Sequence, residues 1–270
     1  MSGNKKIYLG TNTKMYKTIR QTTDFLTRLH ELTKDISRDT MELFVIPSYT
    51  ALSAAKASVP EESILLGAQN MSWEDEGQFT GEISPVMLKE IGVNIVMIGH
   101  SERRHIFGES NEEENKKVLA ALKHGFTPLL CVGETGKEKD AGVAAEVLNT
   151  QLKVGLHDVS PEQAKNVIVA YEPVWAIGVN GKPASEEYAE QIHALLHRTL
   201  GEMFGKETGA DIPVLYGGSV NPQNAEKLIV MPHIDGLFIG RSAWDADNFN
   251  RIIRQVLPLF FEKQNTKGAE

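Results

Sequence analysis

The sequence predicts a single (β/α)8 barrel, an α/β architecture whose chemistry belongs at the ends of its strands. Three observations predict it. Eight short, nearly continuous apolar runs recur along the chain, the signature of strands covered on both faces. Longer stretches with helical apolar spacing separate them, and such alternation implies parallel βαβ units. The length, 270 residues, is that of one such barrel. No Pro/Ser-rich linker, low-complexity tract or composition shift divides the chain, so 1–270 reads as one domain.

The apolar runs, in order, are KIYLG ending at Gly10, MELFVI ending at Ile46, ILLGA ending at Ala68 and NIVMIG ending at Gly99. TPLLCV ending at Val132, NVIVAYE ending at Glu172, IPVLYG ending at Gly217 and GLFIG ending at Gly240 complete the eight. Between the first two, 22–33 places Phe25, Leu26, Leu29 and Leu32 on one helical face; 112–122 and 186–200 behave alike, with charged opposite faces. Ser185 reads as an N-cap, and Asn221 as a cap with Pro222 in the first turn of the next helix. The tail from about 262, ending KGAE, is polar and expected to fray.

Composition bounds the function. At 41% hydrophobic residues the chain can bury a large core, and its net charge of −8 excludes the basic footprint of a nucleic-acid binder. It does not exclude a phosphate ligand, because such sites are built locally from backbone N–H groups and a cation or two. The single cysteine, Cys131, excludes an intrachain disulfide and suits a reducing compartment. The start, MSGNKKIYLG, carries no apolar signal segment, and no run approaches the ~20 apolar residues of a membrane span. The expectation is a cytoplasmic protein without membrane or nucleic-acid partners.

The strand ends carry the candidate site. Asn12 and Lys14 follow the first strand two apart, so in an extended segment both side chains point the same way. Lys14 is either a surface turn residue or a cation for an anionic substrate. His100 follows Gly99 and precedes a helical pattern; the dipole there disfavours imidazolium, and a neutral ring can donate a hydrogen bond to a carbonyl oxygen. A lone histidine there is structural or catalytic. Glu172 ends the sixth strand and is followed by PVWAIGVNGKPAS, where Trp175 and Ile177 precede Gly178, Asn180 and Gly181. Apolar residues beside so many glycines suit a lid better than an ordinary turn. YGGSVNP and IGRSAW follow the last two strands, where glycine loops form a phosphate site in such barrels. No zinc helix, cysteine cluster, EF-hand, P-loop, dinucleotide fingerprint or serine elbow is present, so neither metal nor cofactor is expected.

NTKM, GAQN, FTGEIS, IGHSERR, CVGE, AYEPVWAIG and YGGSV stand in the order and spacing of the triosephosphate isomerase family, which the chain resembles from about Ile7 to about Ile253. The resemblance implies a TIM barrel. It implies Glu172 as general base, His100 as neutral electrophile, Lys14 with Asn12 beside it as the cation offsetting an enediolate, and Glu102 as the partner of Lys14. Gly178, Ser219, Gly240 and Arg241 fall where the family's backbone amides hold phosphate. It also implies a cofactor-free isomerase of a small phosphorylated sugar, acting as a homodimer in which Thr80 reaches the partner's lysine. The residues agree with that chemistry, since moving a proton α to a carbonyl needs a base, an electrophile and fixed positive charge.

Three features depart from the family's usual pattern: Thr13 where tryptophan is common, a lid one residue longer, and IGRSAW where a second glycine is usual. They resemble the branch acting on erythrulose phosphates in erythritol catabolism. The catalytic residues are still those of the parent family, so the first expectation is a triosephosphate isomerase of glycolysis and gluconeogenesis, an aldose–ketose isomerase interconverting glyceraldehyde 3-phosphate and dihydroxyacetone phosphate, with an L-erythrulose 1-phosphate isomerase as alternative. A non-catalytic phosphate-binding barrel is the remote third; loss of Glu172 or Lys14 would favour it, and both are present.

Overall fold

The computed structural model describes residues 6–178, 181 and 183–267; Asn180, singled out in the lid, lies outside them. The elements run β1 (Ile7–Asn12), α1 (Ile19–Thr33), β2 (Met41–Ile46), α2 (Leu52–Ser58), β3 (Leu65–Ala68), α3 (Pro85–Ile91), β4 (Ile95–Ile98), α4 (Ser101–Ile106) and α5 (Asn111–Lys123). They continue as β5 (Thr127–Val132), α6 (Gly136–Asp140), α7 (Ala144–Gly155), α8 (Pro161–Ala164), β6 (Ile168–Tyr171), α9 (Glu186–Phe204), α10 (Lys206–Asp211), β7 (Val214–Tyr216), α11 (Ala225–Ile229), β8 (Gly236–Ile239) and α12 (Ala246–Lys267). All eight strands pair in parallel and in sequence order, and β1 pairs with β8 to close the barrel.

Closure creates two cores. Outward strand residues pack against the helices, while Phe44, Ile46, Ile95, Met97, Leu129, Cys131, Ile168, Ala170, Leu215 and Phe238 fill the inside. Phe44 and Phe238 stack with centroids 5.8 Å apart. Gly10 makes this possible, because a Cβ there would lie 2.1 Å from the Phe44 ring. Burying one such ring is worth about 1.5–3 kcal/mol. Strand alternation then positions the site. Ile168 and Ala170 face inward, so Glu172, two residues on, emerges at the inner rim; Tyr8, Gly10 and Asn12 follow the same parity.

The helices begin where local chemistry dictates. Thr18 and Ser110 each form a capping box with a residue three positions on, which starts α1 and α5 slightly earlier than their apolar periodicity shows. Ser185 caps α9 by accepting from the Tyr188 N–H, as expected. Two expectations fail. Asn221 caps a turn, not a helix: its Oδ1 accepts from the N–H groups of Gln223 and Asn224, and α11 begins only at Ala225. The polar tail does not fray at 262, because α12 continues to Lys267 and Lys263 is buried. Lys263 Nζ donates to the carbonyls of Ile229 (2.6 Å), Met231 (3.0 Å) and Ile234 (2.7 Å), pinning the tail beneath β8. No helix among the described residues is long and apolar enough to cross a membrane.

Candidate active site

A cavity of about 450 Å³ opens at the C-terminal rim, and Asn12, Lys14, His100, Glu102 and Glu172 share its lining with Gly178, Ser219, Gly240 and Arg241. All nine site residues expected from the sequence thus meet in one place.

β1 runs two residues past Gly10, to Asn12. Asn12 and Lys14 reach the cavity, but not through extended backbone: Lys14 has φ 52°, and its N–H donates to Asn12 Oδ1 at 2.7 Å. A left-handed lysine is costly and persists only where neighbours hold it. Gln69 does so, donating through Nε2 to Asn12 Oδ1 (3.2 Å) and to the Lys14 carbonyl (2.7 Å). Trp244 adds a bond from its indole N–H to the Asn12 carbonyl at 2.9 Å, and its ring packs on Tyr16 with centroids 4.7 Å apart. Lys14 Nζ then donates to Glu102 Oε1 at 2.7 Å.

His100 is the N-cap of α4, and its Nδ1 accepts from the Glu102 N–H at 3.2 Å. With Nδ1 accepting this bond, Nε2 is left as the ring's donor. Nε2 faces Glu172 Oε1 at 3.3 Å, and Glu172 Oε2 accepts from the Ser101 N–H at 3.1 Å. The base candidate and the electrophile candidate therefore meet at the N-terminus of α4, which favours a carboxylate. Arg104 holds the same corner, donating from Nε to the Gly99 carbonyl (2.7 Å) and from Nη2 to the Cys131 carbonyl (2.9 Å). It pairs with buried Glu114, whose carboxyl burial pushes up to about 8, while the Arg104 charge pulls the other way. Burial, with the nearby Glu172 charge, pushes the Cys131 thiol up, leaving a neutral sulfur beneath the carboxylate.

The Glu172 backbone is fixed from both sides: its N–H donates to the Val132 carbonyl at 2.7 Å, and the Gly217 N–H donates to the Tyr171 carbonyl at 2.7 Å. Gly133 permits this approach, since a Cβ there would sit 1.9 Å from the Glu172 carbonyl oxygen. Glu134, fully buried, anchors the first half of the lid segment. Its Oε1 accepts from Trp175 Nε1 (2.8 Å), Tyr188 OH (2.9 Å) and Tyr171 OH (3.0 Å). Burial, and then the Glu134 charge, pushes both tyrosine hydroxyls well up, so both remain donors. Ile177 and Gly178 line the cavity beyond this anchor, Gly178 with φ 88°.

The two glycine loops complete the rim, the first directly beside Glu172: a Cβ on Gly217 would lie 3.1 Å from Glu172 Cγ. Gly217, Gly218 and Ser219 follow β7, and Asn224 Nδ2 holds the Ser219 carbonyl at 2.8 Å. After β8, Gly240 caps a 3-10 turn over Arg241–Ala243. The first N–H groups of such a turn have no acceptor within it and suit an anion. The arrangement can hold an anion on the loop N–H groups and move a proton at Glu172.

Gln69, Arg104, Glu134, Tyr16 and Trp244 were not assigned from the sequence. The first three lie in GAQN, IGHSERR and CVGE, so their motifs carried the signal without showing what each side chain touches.

An anion pocket beside a carboxylate–imidazole pair, at the C-terminal rim of a parallel barrel, has the make-up of a proton-transfer site for a small phosphorylated compound. The family model described as triosephosphate isomerase matches residues 7–256. The chain belongs to the triosephosphate isomerase family and is a sugar-phosphate isomerase. Similar proteins include the L-erythrulose-1-phosphate isomerases of Rhizobium etli, 48% identical over 93% of this chain and 92% of that protein, and of Rhizobium meliloti, 47% identical over 93% and 96%. That of Brucella abortus is 45% identical over 92% and 95%.

Proposed function

We propose that the protein isomerises L-erythrulose 1-phosphate, with Glu172 as the base. The observation that carries the proton-transfer reading is the 3.3 Å approach of Glu172 Oε1 to His100 Nε2, in a cavity that ends in two glycine loops. The similarity to proteins bearing that name over nearly their whole length supports the substrate, and moves the reading from the triose phosphate, the first expectation, to the tetrulose alternative.

The compound's structure defines the step. Its carbonyl is C2 and its phosphate is on C1, so the carbonyl cannot move to C1 without disrupting the phosphoester-bearing carbon. It moves to C3, and the product is a second ketose. Glu172 removes the C3 proton, and the electron pair forms the C2–C3 double bond of an enediolate. The Nε2–H of His100 and the Lys14 ammonium meet the developing charge on O2. The O3 hydroxyl proton passes to O2 as the carbonyl re-forms at C3, and Glu172 returns its proton to C2. A triose phosphate presents the same phosphate-to-carbinol unit with hydrogen in place of the terminal hydroxymethyl group. One carbon is worth only ~1–3 kcal/mol of discrimination, so both substrates turn over, within roughly two orders of magnitude or with the tetrulose ahead.

The test is side-by-side kcat/KM for L-erythrulose 1-phosphate and glyceraldehyde 3-phosphate, with solvent deuterium followed into C2 and C3. Absence of tetrulose turnover would leave a triose enzyme. Absence of deuterium exchange from either substrate would leave a binding barrel.

We also propose a homodimer. Residues 73–82 form a loop between Ser72 and Ile83, whose backbones bond at 2.8 Å, and Phe79 within it is 48% exposed. Met15 is 94% exposed and Ile106 and Phe107 are 71% and 67% exposed, large apolar side chains that a partner surface would cover. Thr80 on this loop would approach the partner's Lys14. Light scattering at micromolar concentration that found a fully active monomer would refute this.

A further inference from the structure

Nine arginines occur in the chain. Seven have a hydrogen-bond or ion-pair partner: Arg20, Arg28, Arg38, Arg103, Arg104, Arg251 and Arg254. Arg198 and Arg241 have none among the described residues. Arg198 lies on α9 and borders a separate pocket on the far side of the barrel, whereas Arg241 lines the active-site cavity with its side chain exposed. An unpaired guanidinium at the mouth of an anion pocket is free to act on a ligand.

The charge balance of the cavity makes the need specific. Its described lining has four charged side chains: Lys14 and Arg241 positive, Glu102 and Glu172 negative. The Lys14 charge is already matched by Glu102 at 2.7 Å, so without Arg241 the lining carries one net negative charge. A sugar phosphate near neutral pH brings about −1.5 to −2 more. Backbone N–H groups orient a phosphate but carry no net charge to offset that repulsion. Arg241, the first residue of the turn capped by Gly240, supplies it from the phosphate end.

We propose that the Arg241 guanidinium is the counter-ion of the substrate phosphate, a binding residue distinct from the backbone N–H of the same position. The proposal rests on reading the cavity as a sugar-phosphate site. It acts on the phosphate alone, so it is blind to the number of carbons that follow.

The variant is Arg241→Gln, which keeps the turn's backbone and removes the charge, with Arg198→Gln as control. The probe is inorganic phosphate as competitive inhibitor, beside KM for the tetrulose and triose phosphates. Losing a charge-assisted contact should raise the phosphate inhibition constant and both KM values roughly 10- to 150-fold. The kcat should fall less, and the ratio of the two kcat/KM values should stay constant. Arg241→Lys should restore part of the loss, and Arg198→Gln should change nothing. In the wild type, raising salt should weaken phosphate inhibition more than it does in Arg241→Gln. An unchanged inhibition constant in Arg241→Gln, a loss confined to kcat, or a shift in the substrate ratio each overturns the proposal while leaving the isomerase reading intact. Failure of phosphate to bind the wild type, with no turnover of either sugar, overturns both.

Discussion

The two ends of the barrel bury polar groups in opposite ways. At the N-terminal end the buried polar groups largely answer one another. Lys263 satisfies three carbonyls, Asp235 accepts from the Val214 N–H at 3.0 Å and meets His197 Nε2 at 2.9 Å, and His193 Nδ1 reaches the His233 carbonyl at 3.2 Å. At the C-terminal end the polar groups are held firmly but aimed into open space: Glu134, Gln69, Trp244 and Arg104 fix the backbone, while Glu172, His100 and the loop N–H groups face a cavity. Networks that close on themselves stabilise a fold, whereas groups held with capacity to spare can act on a ligand. The same parallel strands produce both ends, and only the connections differ.

The largest expected effect tests the open end. Glu172→Gln keeps the shape and removes the base, so kcat should fall by up to about 10⁴-fold while urea unfolding changes little. Unfolding weakened in step with activity would show that Glu172 serves the scaffold as well, and the contrast between the ends would collapse. Retention of wild-type kcat would remove Glu172 as base.

A smaller effect sharpens the contrast from the closed end. Burial, with His197 adding to it, lowers the His193 pKa from 6.5 to about 3, although Asp235 opposes the shift. The folded protein therefore keeps this ring neutral where the unfolded chain protonates it. Between pH 6.5 and 3 the unfolded state binds the extra proton, so the stability linked to this group is intact above pH 6.5 and declines as pH falls below it. At pH 5 the loss is about 2 kcal/mol. His193→Phe removes the titration, so its denaturant midpoint should fall less than that of the wild type between pH 7.5 and 5. Glu114, held protonated to about 8 by burial, titrates in both proteins and cancels in the comparison. Parallel pH curves would show that His193 is not what limits acid stability. The kcat at pH 7.5 should be unchanged, as expected of a residue outside the site.

The sequence by itself determined the barrel and brought nine of the residues that line the candidate site to the strand ends. Continuous apolar runs leave a strand no exposed face, and eight of them alternating with helices in a chain of this length suit a closed barrel, with Glu172 at the end of the sixth. It did not determine how the site is held. Local spacing made Asn12 and Lys14 an extended pair, yet Gln69 and Trp244, from the segments that follow β3 and β8, help to hold Lys14 in a left-handed turn. Asn221 and Pro222 read as a helix start, but the Asn221 side chain is spent on a turn that braces the Ser219 loop. The polar tail read as frayed because nothing adjacent in sequence needs Lys263; its three carbonyl partners lie 29 to 34 residues away. Periodicity and end signals are one-dimensional and legible in the chain. The satisfaction of buried polar groups is a long-range matter, because each partner arrives from another strand only when the barrel closes.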